Sequence, residues 1–340
     1  MLFGCGCLSG PSSRSAFLHD LATLEARVAQ RRAQEALAQV EGLKSRTVKP
    51  EERCPILVAE ARALGSLHRL SEAVSTFREA ARACRGVPQE SARGLFELAV
   101  FLAQRAGDPM EALPVFRRVV TQFPDEPAAR RAAVWLLTLQ RERSGTEAAV
   151  EEMRRLYREV PRADVAPFLL FQAAVALERE SDRSGLDMRN QRLALWLLIL
   201  QRHAGSRVAD DAGVAAARLC LESGRPWVAV RLLHDVLARR ETSWFLGSYD
   251  TPIYAEAAYW IATARLAATR DRVAAAADLV RFATEFPDDP RVAEALFTAY
   301  QWLVSAARRD EALKILRVLA QVRPNTVHGR EARRILEQER

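Results

Sequence analysis

The chain has 340 residues, 49% of them apolar and 27% charged, with a net charge of +7 and a sequence pI near 9.5. That apolar content excludes disorder over most of the length, and no run approaches the roughly 20 apolar residues of a bilayer-spanning helix. Ala, Leu, Glu and Arg dominate and long stretches lack β-type alternation, so the composition predicts an all-α fold.

The positive charge is almost entirely arginine, because lysine occurs only at Lys44, Lys49 and Lys314. Basic and acidic residues interleave, as in Glu151-Glu152-Met153-Arg154-Arg155. This is the pattern of a solvated helix face with i,i+4 pairs, not of a phosphate-binding groove. Nucleic acid is not an expected partner.

In chain order, residues 1–15 read as a leader and flexible tether rich in Gly, Ser and Pro. Leu2-Phe3-Gly4-Cys5 resembles a bacterial lipobox, which implies a diacylglycerol on Cys5. With Gly6 next, the resemblance implies an outer-membrane lipoprotein facing the periplasm. Phe3 is larger than usual at its place and no charged or apolar segment precedes it; a start codon further upstream would supply one. The alternative is a cytoplasmic leader in which Cys5 and Cys7 have no role, since a Cys-x-Cys pair offers too few ligands for zinc.

Residues 16–45 predict one long capping helix with a stripe of Leu18, Leu21, Leu24, Val28, Leu37, Val40 and Leu43. A coiled coil is disfavoured because Arg31 and Glu35 would fall on its seam. Residues 46–53 are a polar connection, and Pro55 opens the next helix.

Along residues 46–340 a small residue is followed four positions later by a large apolar one, seven times. Ala73…Phe77, Ala112…Phe116 and Ala312…Leu316 are the clearest copies; weaker ones are anchored at Ala149, Ala194, Ala229 and Ala275, with steps of 39, 37, 45, 35, 46 and 37 residues. A period in this range marks helix pairs that bury their apolar faces only by stacking on neighbours. The spacing resembles a tetratricopeptide repeat (TPR) array. That resemblance implies a right-handed superhelical solenoid of about seven antiparallel helix pairs and a non-enzymatic protein-interaction scaffold. The turns Phe123-Pro124-Asp125-Glu126-Pro127, Phe286-Pro287-Asp288-Asp289-Pro290 and Arg323-Pro324-Asn325-Thr326 resemble those of periplasmic envelope proteins of the BamD type and the Tol–Pal coordinators.

In the same register, Cys54 starts the first helix of its repeat and Cys84 ends the second. Antiparallel pairing brings those ends together and allows a disulfide; two separate buried thiols are the preferred reading. Cys220 falls on an apolar stripe. Two steps exceed the period. Residues 179–192 predict a long polar turn, and residues 239–253 a loop carrying Trp244, Phe245 and Tyr249. Those rings either pack inward over the groove, the preferred reading, or anchor a partner chain.

No catalytic constellation is present. His19, His68, His203, His234 and His328 fall in different repeats, and no Gly-rich phosphate loop, G-x-S-x-G or C-x-x-C occurs. Asp210-Asp211 and Asp288-Asp289 stand at helix starts, where capping explains them better than metal. No catalytic residue, cofactor or metal site is expected. Binding remains. The TPR resemblance places Glu97, Phe101 and Arg105 on a concave face, with Trp260, Phe297 and Gln301 from later repeats, to hold an extended peptide or partner helix. For each ring taken singly, packing between helices is the simpler reading. The expected function is a scaffold of the bacterial cell envelope, with the membrane reached only through the N-terminal lipid. The alternatives are a soluble cytoplasmic adaptor and a recruiting subunit of an enzyme complex.

Overall fold

A computed structural model describes residues 13–46, 50–105, 107–240 and 252–339, and among these it contains sixteen helices and no strand. Cys5, Trp244, Phe245 and Tyr249 lie outside the described residues. Two compact units are resolved, Met1–Leu177 and Glu178–Arg340. The first holds α1 (Ser13–Ala29), α2 (Ala33–Lys44), α3 (Pro50–Ser66), α4 (Leu70–Ala83), α5 (Pro88–Gln104), α6 (Pro109–Gln122), α7 (Pro127–Glu159) and the start of α8 (Ala166–Ser184). The second holds the end of α8, then α9 (Arg189–Arg202), α10 (Ala209–Glu222), α11 (Pro226–Ala238), α12 (Pro252–Thr269), α13 (Arg272–Glu285), α14 (Val292–Ser305), α15 (Arg309–Val322) and α16 (Val327–Gln338). The fold is an all-α helical-repeat array.

The four-residue spacing is the buried seam of the second helix in each pair. Ala73 and Phe77, Ala112 and Phe116, Ala229 and Leu233, Ala275 and Leu279, and Ala312 and Leu316 are all at most 2% exposed. In each of these helices the alanine is the fourth residue and the large side chain the eighth. The small residue lets backbones approach and the large one fills the space created.

Two sequence readings change here. Ala194 is exposed; the fourth and eighth residues of α9 are Arg192 and Trp196, and Trp196 is the buried one. Residues 16–45 are two helices, not one. They separate at Arg31, whose φ is 60°, and α2 repeats the seam with Ala36 and Val40, both fully buried. The first helix pair is therefore α1–α2, one copy earlier than the spacing indicated.

The turns inside the pairs share one device. Arg31, His68, Gly107, Gly224, Arg270 and Ala307 all have φ between 57° and 69°, two residues before the following helix begins. A left-handed residue there lets the next N–H reach back to the helix just ended, as Arg32 does to Arg27 (2.9 Å), Arg69 to Leu64 (3.0 Å), Arg225 to Cys220 (2.8 Å) and Arg308 to Leu303 (2.9 Å). Within α7, Gly145 (φ 84°, ψ 172°) marks the corresponding break. Turns between pairs also meet. The Asp125 carboxylate accepts the Asp164 N–H at 2.9 Å, and the Arg323 guanidinium donates to the Pro287 carbonyl.

Cys54 and Cys84 are joined in a disulfide with Cα atoms 5.4 Å apart, and both are fully buried. Antiparallel α3 and α4 bring the two positions together, so the separate-thiol reading gives way; Cys220 is buried and free. Residues 179–192 are not a long turn either. Helix α8 runs on to Ser184 and α9 begins at Arg189. No helix breaker occurs before Gly185 (φ 73°), and Arg183 pairs with Glu180 at 2.8 Å across one helical turn. No helix among the described residues is long and apolar enough to cross a membrane.

Candidate partner-binding cavity

Glu97 and Phe101 on α5 and Arg105 at its C-cap recur every four residues, which puts them on one face. Leu98, Ala99 and Leu102, off this face, are buried. In the first unit this face of α5 looks into a cavity of about 550 Å³. Its far walls are the α1–α2 turn, through Val28 and Arg31, and the end of α3, through Arg62 and His68.

Phe101 forms the floor and is only 8% exposed. Its ring lies against Gly65, where an added Cβ would collide with it, and 5.6 Å from the Phe77 ring. A side chain at residue 65 would force the Phe101 ring to shift. The aromatic is thus mostly packing, with one edge left to a ligand.

The charges around the floor are uneven. Three arginines, Arg31, Arg62 and Arg105, line the cavity with one acidic residue, Glu97. None of those arginines forms a side-chain ion pair with a described residue. Elsewhere in the unit the arginines are engaged between helices: Arg93 with Glu25 at 2.7 Å, Arg78 with Glu111 at 3.0 Å and Arg117 with Glu152 at 2.7 Å. The interleaved charges read from the sequence as solvated faces are, in these cases, stitches between helix pairs, successive ones for Arg78 and Arg117 and the first and third for Arg93.

Residues 58–127 and 102–164 match the tetratricopeptide repeat family. The chain is TPR-like. No curated protein shows significant similarity to it. Among solved structures, it is similar to pilF of Pseudomonas aeruginosa, with 16% identity, a TM-score of 0.41, and coverage of 74% of this chain and 99% of that one. It is similar also to YrrB, described as a TPR protein with an unusual peptide-binding site, at 13% identity and a TM-score of 0.42, covering 64% and 97% of the two chains. Human IFIT1, solved as a dimer with PPP-AAAA, gives 12% identity and a TM-score of 0.44 over 93% and 81%. At such identities and scores these likenesses say nothing about what this TPR-like chain binds.

The other residues expected on a concave face are in the second unit. Trp260 is half-buried on α12, edge-on to Tyr259 (6.0 Å) and beneath the Arg218 guanidinium (5.6 Å). Phe297 on α14 is stacked on His328 of α16 at 4.9 Å and packs against the core. Gln301, one turn further on, is exposed. Both rings thus touch their neighbours, as packing between helices would have it.

One aspartate of each pair has a structural partner. Asp210 accepts from Arg239 Nε (2.7 Å) and the Tyr254 hydroxyl (2.9 Å), tying α10 to the end of α11 and the start of α12. Asp289 accepts the Arg291 N–H at 2.9 Å and its guanidinium at 2.7 Å, and that guanidinium holds the carboxyl below its ordinary range. Among the described residues no group of three His, Cys, Asp or Glu is placed to hold a metal ion.

Arg31, Arg62 and Gly65 belong to the cavity but were not legible as such in the sequence. Arginine is too frequent for any one to stand out. The available signal was Gly65 near the end of a helical stripe, three residues after Arg62.

Proposed function

We propose that the chain is a non-enzymatic protein-interaction scaffold of the bacterial cell envelope, and that the cavity beside α5 receives a segment of its partner. The observation that carries this is the convergence of Glu97, Phe101 and Arg105 with Arg31 and Arg62, which form no ion pair with a described residue, around an open, partly apolar hollow in a TPR-like fold. TPR proteins bind protein or peptide partners, and an apolar floor with a few convergent polar groups is the usual make-up of a binding pocket. The buried Cys54–Cys84 disulfide supports an oxidising compartment, and a lipid on Cys5 would hold the array at a membrane. A role like that of the BamD-type lipoproteins or the Tol–Pal coordinators rests on the inter-repeat turns alone.

A photoreactive residue placed at Glu97 should crosslink one partner in intact cells, whereas one at exposed Arg317 on α15 should not. Identical products from both positions would remove the cavity from the reading. Labelling with a radioactive fatty acid should be lost in Cys5→Ser; an unlabelled parent protein would remove the anchor.

A further inference from the structure

Helix α11, in the second unit, gathers exposed residues in one stripe. Trp227, Arg231, His234 and Ala238 follow at intervals of four, three and four residues, which sets them one above another on a helix, and Asp235 flanks the stripe on the side of Arg231. All five are exposed, and Trp227, at 64%, is the only exposed Phe, Trp or Tyr among the described residues. Trp is the side chain most enriched at the energetic centre of protein interfaces. Arg231 and Asp235 stand one helical turn apart, yet neither forms an ion pair with the other or with any described residue. On the corresponding face of α4 and α6, Arg78 and Arg117 are engaged by glutamates.

We infer that this stripe is the contact of a symmetric dimer, in which α11 lies antiparallel against α11 of a second copy. A two-fold contact sets one residue against another and the second against the first. Laying Trp227 on the small Ala238 of the second copy centres the axis between Leu232 and Leu233. Setting Arg231 against Asp235 of the second copy centres it at Leu233. The apolar pairing and the ionic one therefore ask for the same register to within about 0.8 Å, at 1.5 Å of rise per residue.

The flanks agree as well. A two-fold across antiparallel helices keeps each flank on its own side, so Arg231 and Asp235, which share a flank, meet twice. A parallel arrangement would instead set Arg231 against Arg231 and Asp235 against Asp235, and like charges repel. An exposed ring by itself carries no such register; the reciprocal charges select a second copy as its occupant. A contact of one helix on one helix falls below about 1,200 Å², the low end of specific interfaces, so the dimer forms only as concentration rises. It uses no residue of the cavity beside α5 and does not rest on the reading of that cavity.

The test uses the full oxidised chain with Cys5→Ser and Cys7→Ser, which removes association through a lipid or through those thiols. Sedimentation equilibrium from about 1 µM to about 1 mM should show a monomer passing into a dimer. Trp227→Ala and Arg231→Asp should each raise the dissociation constant about tenfold or more. Arg231→Asp with Asp235→Arg should bring it back towards the parent value, which a misfolded protein could not do. His234 is the stripe residue nearest the axis, so oxidation of His234→Cys with diamide should give a disulfide-linked dimer, and Arg317→Cys on α15 should not. A monomer throughout, a dimer indifferent to Arg231→Asp, or a charge exchange that restores nothing overturns the contact. In intact cells a photoreactive residue at position 234 should yield a product of twice the chain's mass; a product of any other mass gives this face to a different protein and overturns the second copy.

Discussion

Arg192 occupies the place that alanine holds in the other second helices, and its guanidinium closes on the carboxylate of Glu178. The arginine side chain is 12% exposed and the glutamate 40%. Restoring the repeat pattern with Arg192→Ala should therefore harm the protein. It removes a long, packed aliphatic stem as well as a charge, and the loss should be about 2–3 kcal/mol in urea unfolding. Glu178→Gln should cost less than about 1 kcal/mol, because its carboxylate is substantially solvated. A stabilised Arg192→Ala variant would show that this seam packs like the others.

The Cys54–Cys84 bond closes a loop of 30 residues in sequence. A cross-link of that length stabilises by roughly 3–4 kcal/mol through the unfolded state. Cys54→Ser with Cys84→Ser should lower stability by about that amount and act within the first unit. Thiol titration of the unreduced, denatured protein should find at most three of the five cysteines; five would show that the bond does not form in solution.

Acid should destabilise the second unit through Asp289. Its carboxyl is held below the usual range, chiefly by the Arg291 guanidinium. Asp187 behaves likewise beside Arg189, lowered to about 2. A carboxyl whose pKa is depressed in the folded state adds stability that is complete above its unfolded value of about 3.9 and is lost as pH falls through the folded value. The urea midpoint should therefore drop between about pH 5 and pH 2, and Asp289→Asn should flatten that slope while lowering stability at pH 7. Parallel slopes for the two proteins would exclude Asp289 as the cause.

The left-handed turn residues give paired expectations. Ala307 carries φ 57°, a conformation costing an L-residue about 1–2 kcal/mol, so Ala307→Gly should stabilise once the roughly 0.5–1 kcal/mol entropy of glycine is subtracted. Gly224→Ala, at φ 69°, should destabilise by a similar margin. At Gly329 space is the constraint: an added Cβ would collide with the Arg323 carbonyl oxygen. Gly329→Ala should loosen α16, read as faster amide exchange over residues 327–338 with little change elsewhere.

The sequence made the fold legible wherever the seam was isolated among polar residues. In Glu72-Ala73…Phe77 only one register buries an apolar pair. Leu193-Ala194-Leu195-Trp196-Leu197-Leu198-Ile199 allows several, and only packing on neighbouring helices selects Trp196. Glu35-Ala36…Val40 has the same form as the clear copies, yet the turn before it carries neither Gly nor Pro. Arg31 takes the left-handed conformation instead, so the break left no mark in composition. The cavity was half legible for a related reason. The four-residue spacing on α5 gives one wall, but the α1–α2 turn and the end of α3 reach it only through tertiary packing.

The disulfide also changes how the first unit bears tension. A pull on the chain ends crosses from Cys54 to Cys84 directly, so residues 55–83 carry none of it while the bond is intact. About 100 Å of contour is thereby withheld from extension. Residues Arg62, Gly65 and Phe77, which shape one side of the cavity, lie inside that shielded stretch. A load on the array can draw out α1–α2 or α5 before it reaches them.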